Sequence, residues 1–188
     1  VRWDLPYLEV LDLWQNDIYG SVASSLGSAS SLITLDLADN SFTWTLPTEI
    51  GSLSDLETLD LNNNAISGPL PLQYGWLSSL VVLDVSSNNL NSSIPSWLGD
   101  LDSTLREIIL DRNQFQGSLP EELQSFSSLD VFNVAYNYLD RDNLHNAKVP
   151  EALETLILYN TTMRDLSYQS DVTDPIIASS DTIPATVS

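Results

Sequence analysis

The sequence predicts an α/β-type solenoid, a stack of short parallel strands joined by irregular returns, on three observations. A leucine-bearing strand motif recurs at intervals of 24 residues. An Asn stands eight residues after the opening Leu in six units, and Gly and Leu-Pro or Ile-Pro signals follow it. Self-similarity at a short fixed period marks a repeat architecture, in which no unit buries its apolar face alone. A chain of 188 residues suffices for one such stack, and two independent domains would be cramped.

The first four units open at Leu8-Glu-Val-Leu11-Asp-Leu13, Leu32-Ile-Thr-Leu35-Asp-Leu37, Leu56-Glu-Thr-Leu59-Asp-Leu61 and Leu80-Val-Val-Leu83-Asp-Val85. Three more open at Leu105, Leu129 and Leu153, with one extra residue just before Leu105. About seven 24-residue repeats are thus expected over residues 8 to 164. The strand alternation sends leucines inward and their neighbours outward, onto a parallel sheet with strands about 4.8 Å apart. Asn16, Asn40, Asn64, Asn88, Asn113 and Asn137 stand where the chain leaves the strand. There an inward amide can pair backbone groups that would otherwise be buried without partners. Gly20, Gly68 and Gly117 come next, then Leu46-Pro47, Leu70-Pro71, Ile94-Pro95 and Leu119-Pro120. Leu26, Ile50, Tyr74, Leu98 and Leu123 supply a further apolar set.

Together these residues spell LxxLxLxxNxLxGxIPxxLGxLxx, which resembles the plant-type class of extracellular leucine-rich repeats; Asn88-Asn-Leu-Asn-Ser-Ser-Ile-Pro-Ser-Trp-Leu-Gly99 is the nearest single match. The resemblance implies a right-handed superhelix with a parallel concave β-sheet, at an extracellular or cell-surface location. It also implies end caps with paired cysteines, which this chain cannot make. Unit six loses the Gly and Ile-Pro signals in Asp140-Arg-Asp-Asn-Leu-His145, and unit seven has Thr161 at the Asn position. The solenoid is therefore expected over residues 1–164, with 165–188 a Ser/Thr/Asp/Pro-rich C-terminal extension of linker or stalk composition. The start, Val1-Arg2-Trp3-Asp4, reads as that of a chain processed from a longer precursor.

The charge balance narrows the partners. With 26 acidic against 6 basic residues and a net charge of -20, nucleic acid is not an expected partner, whereas cations and basic proteins are. No cysteine is present, which excludes disulfides, thiolate catalysis and Cys-based zinc sites. His145 and Lys148 are the sole histidine and lysine, leaving few general bases or amine nucleophiles. Glu121 and Glu122, adjacent on an exposed return, point to different sides and do not suit glycoside hydrolysis. The reading is of a non-enzymatic protein without cofactor or metal, and no apolar run reaches the roughly 18 residues of a membrane span.

Candidate binding residues lie on the concave face. Asp12, Asp36, Asp60 and Asp84 are expected in one row, each adjacent pair repelling by roughly 0.9 kcal/mol in water. Calcium would require six to eight oxygens, which no loop supplies, so the row is expected to stay metal-free. Trp14, Asn62, Arg112, Tyr136 and Tyr159, with Gln15, Asp39 and Asn63, complete an aromatic and amide set of the kind used for protein or glycan binding. Two sequons, Asn91-Ser-Ser and Asn160-Thr-Thr, are expected in exposed returns and suited to N-linked glycans. Uncapped ends suggest head-to-tail self-association, with Ile176, Ile177, Ile183 and Val187 of the extension packing on a neighbour's Trp3, Leu5 and Leu8; the alternative is that the extension folds back on its own last repeat. These features place a structural subunit of a fibre, matrix or surface assembly first. An ectodomain fragment recognising a peptide or protein on the concave face stands second.

Overall fold

A computed structural model describes residues 5–140, 149–150, 153–158 and 177–179. In each unit the opening Leu leads into a three-residue strand whose middle residue faces the core. The strands, numbered in chain order, are β1 (Val10–Asp12), β3 (Thr34–Asp36), β5 (Thr58–Asp60), β7 (Val82–Asp84), β9 (Glu107–Ile109), β11 (Val131–Asn133) and β13 (Thr155–Ile157). All seven are parallel and in register, Leu11 opposite Leu35, Leu35 opposite Leu59 and so on. Register is fixed because a one-residue slip would send every leucine to solvent.

Beyond the strand, the chain turns on a residue in the left-handed region. Gln15, Asp39, Asn63, Ser87, Arg112 and Tyr136 have φ between 52° and 55°, and each immediately precedes a ladder Asn. The ladder works as expected from sequence. Asn88 Oδ1 accepts from the Ile66 N–H at 2.9 Å, while its Nδ2 donates to the carbonyls of Leu61, Val85 and Ser86. Asn40, Asn64, Asn113 and Asn137 repeat that pattern one unit apart. Asn16 donates to Leu13 and Trp14 carbonyls only, and it is exposed.

The returns hold more order than the irregular return expected from the sequence. A second parallel sheet runs beside the first: β2 (Tyr19–Ser21), β4 (Ser41–Trp44), β6 (Ala65–Gly68), β8 (Asn89–Ser92), β10 (Gln114–Gly117) and β12 (Tyr138–Leu139). Its inward residues Phe42, Ile66, Leu90, Phe115 and Leu139 are buried. Short 3-10 turns follow, over Ser24–Ser28, Thr48–Ser52, Leu72–Trp76, Ser96–Leu101 and Glu121–Ser125, burying Leu26, Ile50, Tyr74, Leu98 and Leu123. These turns pack so closely that a Cβ at Gly51 would clash with the Gln73 carbonyl oxygen. The extra residue before Leu105 is absorbed here, in a six-residue turn where the other four have five.

The core is one continuous stack in which Leu35, Leu59, Leu83 and Ile108 are fully inaccessible. Truncating such a leucine to Ala costs about 2–5 kcal/mol. At the last parallel strand the pattern changes. β14 (Ile177–Ser179) pairs antiparallel with β13, Ile177 opposite Ile157, within the same chain. One residue expected at a neighbour's first repeat is thus engaged at its own last strand, the fold-back arrangement. Leu5 is exposed and Leu8 is half-buried against the core. Trp3, Ile176, Ile183 and Val187 lie outside the described residues, as do Tyr159, Asn160, His145 and Lys148.

Candidate functional site: the concave sheet and its acidic column

Alternation decides what the concave sheet displays. With the middle residue of each strand turned inward, the first and third face outward. The third-position column reads Asp12, Asp36, Asp60, Asp84, Ile109, Asn133 and Ile157, each the direct register partner of the next. The four expected carboxylates are therefore brought into one row.

The row has a local structural reason. Asp12, Asp36, Asp60 and Asp84 each accept, through Oδ1, the backbone N–H two residues on, of Trp14, Ala38, Asn62 and Ser86, at 2.8–3.0 Å. This Asx turn steers the chain out of the strand into the left-handed residue. Asn133 does the same toward Ala135 at 3.2 Å, so the geometry needs the carbonyl-type oxygen and not the charge. Among the described residues no group of acidic or histidine side chains has the arrangement to hold a metal ion.

Electrostatics along the column are uneven. Burial pushes the Asp84 carboxyl up to about 6 against the opposing hydrogen bonds of Ser86, and the negative charges of Asp60 and Asp111 add to the rise. Asp60 is also raised, first by burial, with hydrogen bonds from Asn62 opposing. Burial raises Asp111 too, and the Arg112 guanidinium works the other way.

The other expected residues fall into two groups. Trp14 donates its indole N–H to Asp39 Oδ2 at 2.9 Å, Asn63 donates to Asp39 Oδ1, and Asn62 donates to Asp60 at 2.7 Å. At the other end the Arg112 guanidinium stacks 5.3 Å above the Tyr136 ring. Asn91 is exposed but lies on β8 of the second sheet, away from this face.

The first-position column went unnoticed in the sequence, although the same alternation marks it. It comprises Val10, Thr34, Thr58, Val82, Glu107, Val131 and Thr155. With Ile109 and Ile157 it places partly exposed apolar side chains on the C-terminal half of the face, Val82 and Val131 both opposite Glu107. The face thus runs from acidic and amide-rich to mixed apolar.

Two sheets stacked in register about an asparagine ladder define a leucine-rich-repeat solenoid. The family description "Leucine-rich repeat region" matches residues 2–176, and the chain belongs to that family. No curated protein matches it. Among solved structures it is similar to the ectodomain of the Arabidopsis thaliana membrane receptor kinase GASSHO1/SCHENGEN3 in complex with CASPARIAN STRIP INTEGRITY FACTOR 2, with 35% identity, a TM-score of 0.70 and coverage of 76% of this chain and 17% of that one. The Arabidopsis HAESA ectodomain in complex with an N-terminally extended IDA peptide hormone has 37% identity and a TM-score of 0.73 over 82% of this chain and 26% of that one. A plant ice-binding protein has 26% identity and a TM-score of 0.70 over 84% and 50%. The chain spans at most half the length of these three. They are binding proteins, so an interaction module has support among them, and the fibre or matrix role expected from sequence has none.

Proposed function

We propose that the chain is an extracellular recognition module whose concave sheet binds an extended peptide or protein segment. The observation that carries this is the outward column itself, which changes in one continuous sheet from four carboxylates to Ile109, Asn133 and Ile157. A segment lying across the strands would meet a place for basic groups beside Asp36 and Asp60 and apolar anchors around Val82, Ile109 and Val131. The HAESA ectodomain named above, in complex with a peptide hormone, supports the same use of the fold. Selection of a displayed random peptide library on the immobilised chain tests it. Enriched sequences should combine Lys or Arg with apolar residues, and their binding should weaken at least about tenfold in Asp36→Asn with Asp60→Asn and again in Ile109→Ser. Enrichment of acidic sequences, or binding indifferent to both changes, overturns the reading.

A second reading is favoured by the other sheet. From Ser41 to Gln116 its outward positions are Ser41, Thr43, Ala65, Ser67, Asn89, Asn91, Gln114 and Gln116, without one charge in a chain of net -20. An uncharged array of hydroxyls and amides at regular strand spacing, with Trp44 exposed at the end of β4, can order the water above it, and the plant ice-binding relative makes ice the surface to try. Ice recrystallisation assays decide: inhibition lost in Thr43→Lys with Ser67→Lys supports this reading, and no inhibition at micromolar protein sinks it.

A further inference from the structure

Where the concave sheet gives way to the second sheet, the first three units line a shallow, open depression of about 490 Å³. Its lining is wholly polar: the left-handed turn residues Gln15, Asp39 and Asn63, the ladder residues Asn16 and Asn40, and Asp17 and Ser41 at the start of the return. That volume suits a small ligand, but such sites are usually lined mainly by apolar side chains. Two exposed aromatic residues outside the lining adjoin lining residues, Trp14 by a hydrogen bond to Asp39 and Tyr19 by strand pairing with Ser41. Trp14 is 52% exposed and Tyr19 86%.

Sugars have that division of surface. A pyranose presents a face of C–H groups, which is attracted to the negative face of an aromatic ring, and a perimeter of hydroxyls, which each donate and accept. The lining has both functions. Asp39 already receives Trp14 and Asn63 on its two oxygens, so the pocket wall is set before any ligand arrives. The ladder amide of Asn40 is committed to backbone carbonyls, whereas Gln15, Asp17 and Ser41 are exposed at the pocket. Two carboxylates, Asp17 and Asp39, repel an anionic sugar.

We propose that this depression is a binding site for a neutral saccharide chain, with Trp14 and Tyr19 as stacking platforms and Gln15, Asp17, Ser41 and Asn63 as hydroxyl partners. It is separate from the peptide reading, which rests on Asp36, Asp60 and the apolar half of the sheet. Calorimetric and tryptophan-fluorescence titrations of the whole chain with cellohexaose, xylohexaose, mannohexaose and hexagalacturonate test it. At least one neutral hexaose should bind and perturb tryptophan emission, with hexagalacturonate bound more weakly. Affinity should fall at least about tenfold in Trp14→Ala and in Asn63→Gly, which keeps the left-handed backbone while removing the amide. Trp14→Phe should lose less than Trp14→Ala, and Glu154→Gln, exposed at the far end of the stack, should leave saccharide affinity unchanged. A high-mannose glycan released from a glycoprotein, run beside the plain hexaoses, distinguishes a protein-borne source from a wall-type polysaccharide. No binding of any neutral sugar, preference for the galacturonate, or equal affinity in Trp14→Ala overturns the proposal.

Discussion

Asp84 sits where a turn requires an acceptor and the surroundings disfavour a charge. Its Oδ1 takes the Ser86 N–H at 2.8 Å, yet burial holds its carboxyl near 6. The sign follows from linkage. A carboxyl whose folded-state value lies above the ordinary 3.8 holds its proton more tightly in the folded state, so the stability Asp84 contributes is fully present below about pH 4 and is lost as pH rises from about 4 to 6. Asp84→Asn keeps the acceptor, as Asn133 already does in the same column, and removes the charge. It should raise stability at pH 7 by about 1 kcal/mol, discounted for the position's partial exposure, and flatten the pH dependence between 4 and 6. Urea titrations of both proteins at pH 4.5 and 7 measure this, and a variant less stable at pH 7 contradicts it. The ladder supplies a second contrast. Asn88→Ala strands several buried backbone groups and should cost about 3 kcal/mol or more, whereas Asn16→Ala, at an exposed turn with two backbone partners, should cost about 1 kcal/mol or less. Equal losses would refute the ladder's role as pairing for buried backbone.

In the elements, the leucine strands and the ladder were legible because each is written in a residue type that only one environment explains. Leucine every 24 residues must be core, and an Asn at a fixed distance from it must pair backbone. The acidic column could be read for the same reason, but its Asx turns could not, since they depend on the left-handed residue that follows. The second sheet was illegible because its strands are two to four residues long and share one alternating apolar position, too little for a period. A trace of it stood in Gly20, Gly68 and Gly117, with φ values of 97°, 83° and 81°, the last two at the ends of β6 and β10 and Gly20 within β2. Trp44 and Ser92 occupy the same position with φ of 71° and 92°. An L residue there carries roughly 1–2 kcal/mol of strain, and Gly has more entropy to lose on folding. The difference predicts a gain of about 0.5–1 kcal/mol for Ser92→Gly, which leaves the Asn91 sequon intact, and for Trp44→Gly. Thermal unfolding of each variant checks the sign; destabilisation at both positions would show that packing outweighs backbone strain.

Over the whole molecule, stability is a sum over neighbours. Each unit touches chiefly the ones before and after it, so a unit with neighbours on both sides is held by two interfaces. The gradient is visible in equivalent leucines: Leu11 is half-buried, whereas Leu35, Leu59 and Leu83 are inaccessible. At the other end β14 covers the outer edge of β13. Leu13, Leu37, Leu61, Val85, Leu110 and Val134 provide matched reporters, because the N–H of each donates to a carbonyl on the next strand at 2.8–3.0 Å. Identical bonds in different neighbourhoods should exchange at different rates. Amide hydrogen exchange is expected to be slowest at Leu61 and Val85 and fastest at Leu13, by at least about tenfold, since local opening needs only one interface broken there. Salt should sharpen the middle further by screening the row from Asp12 to Asp84. Uniform protection at all six amides would mean instead that the stack opens as one unit, and it would remove the nearest-neighbour account of how these short strands hold together.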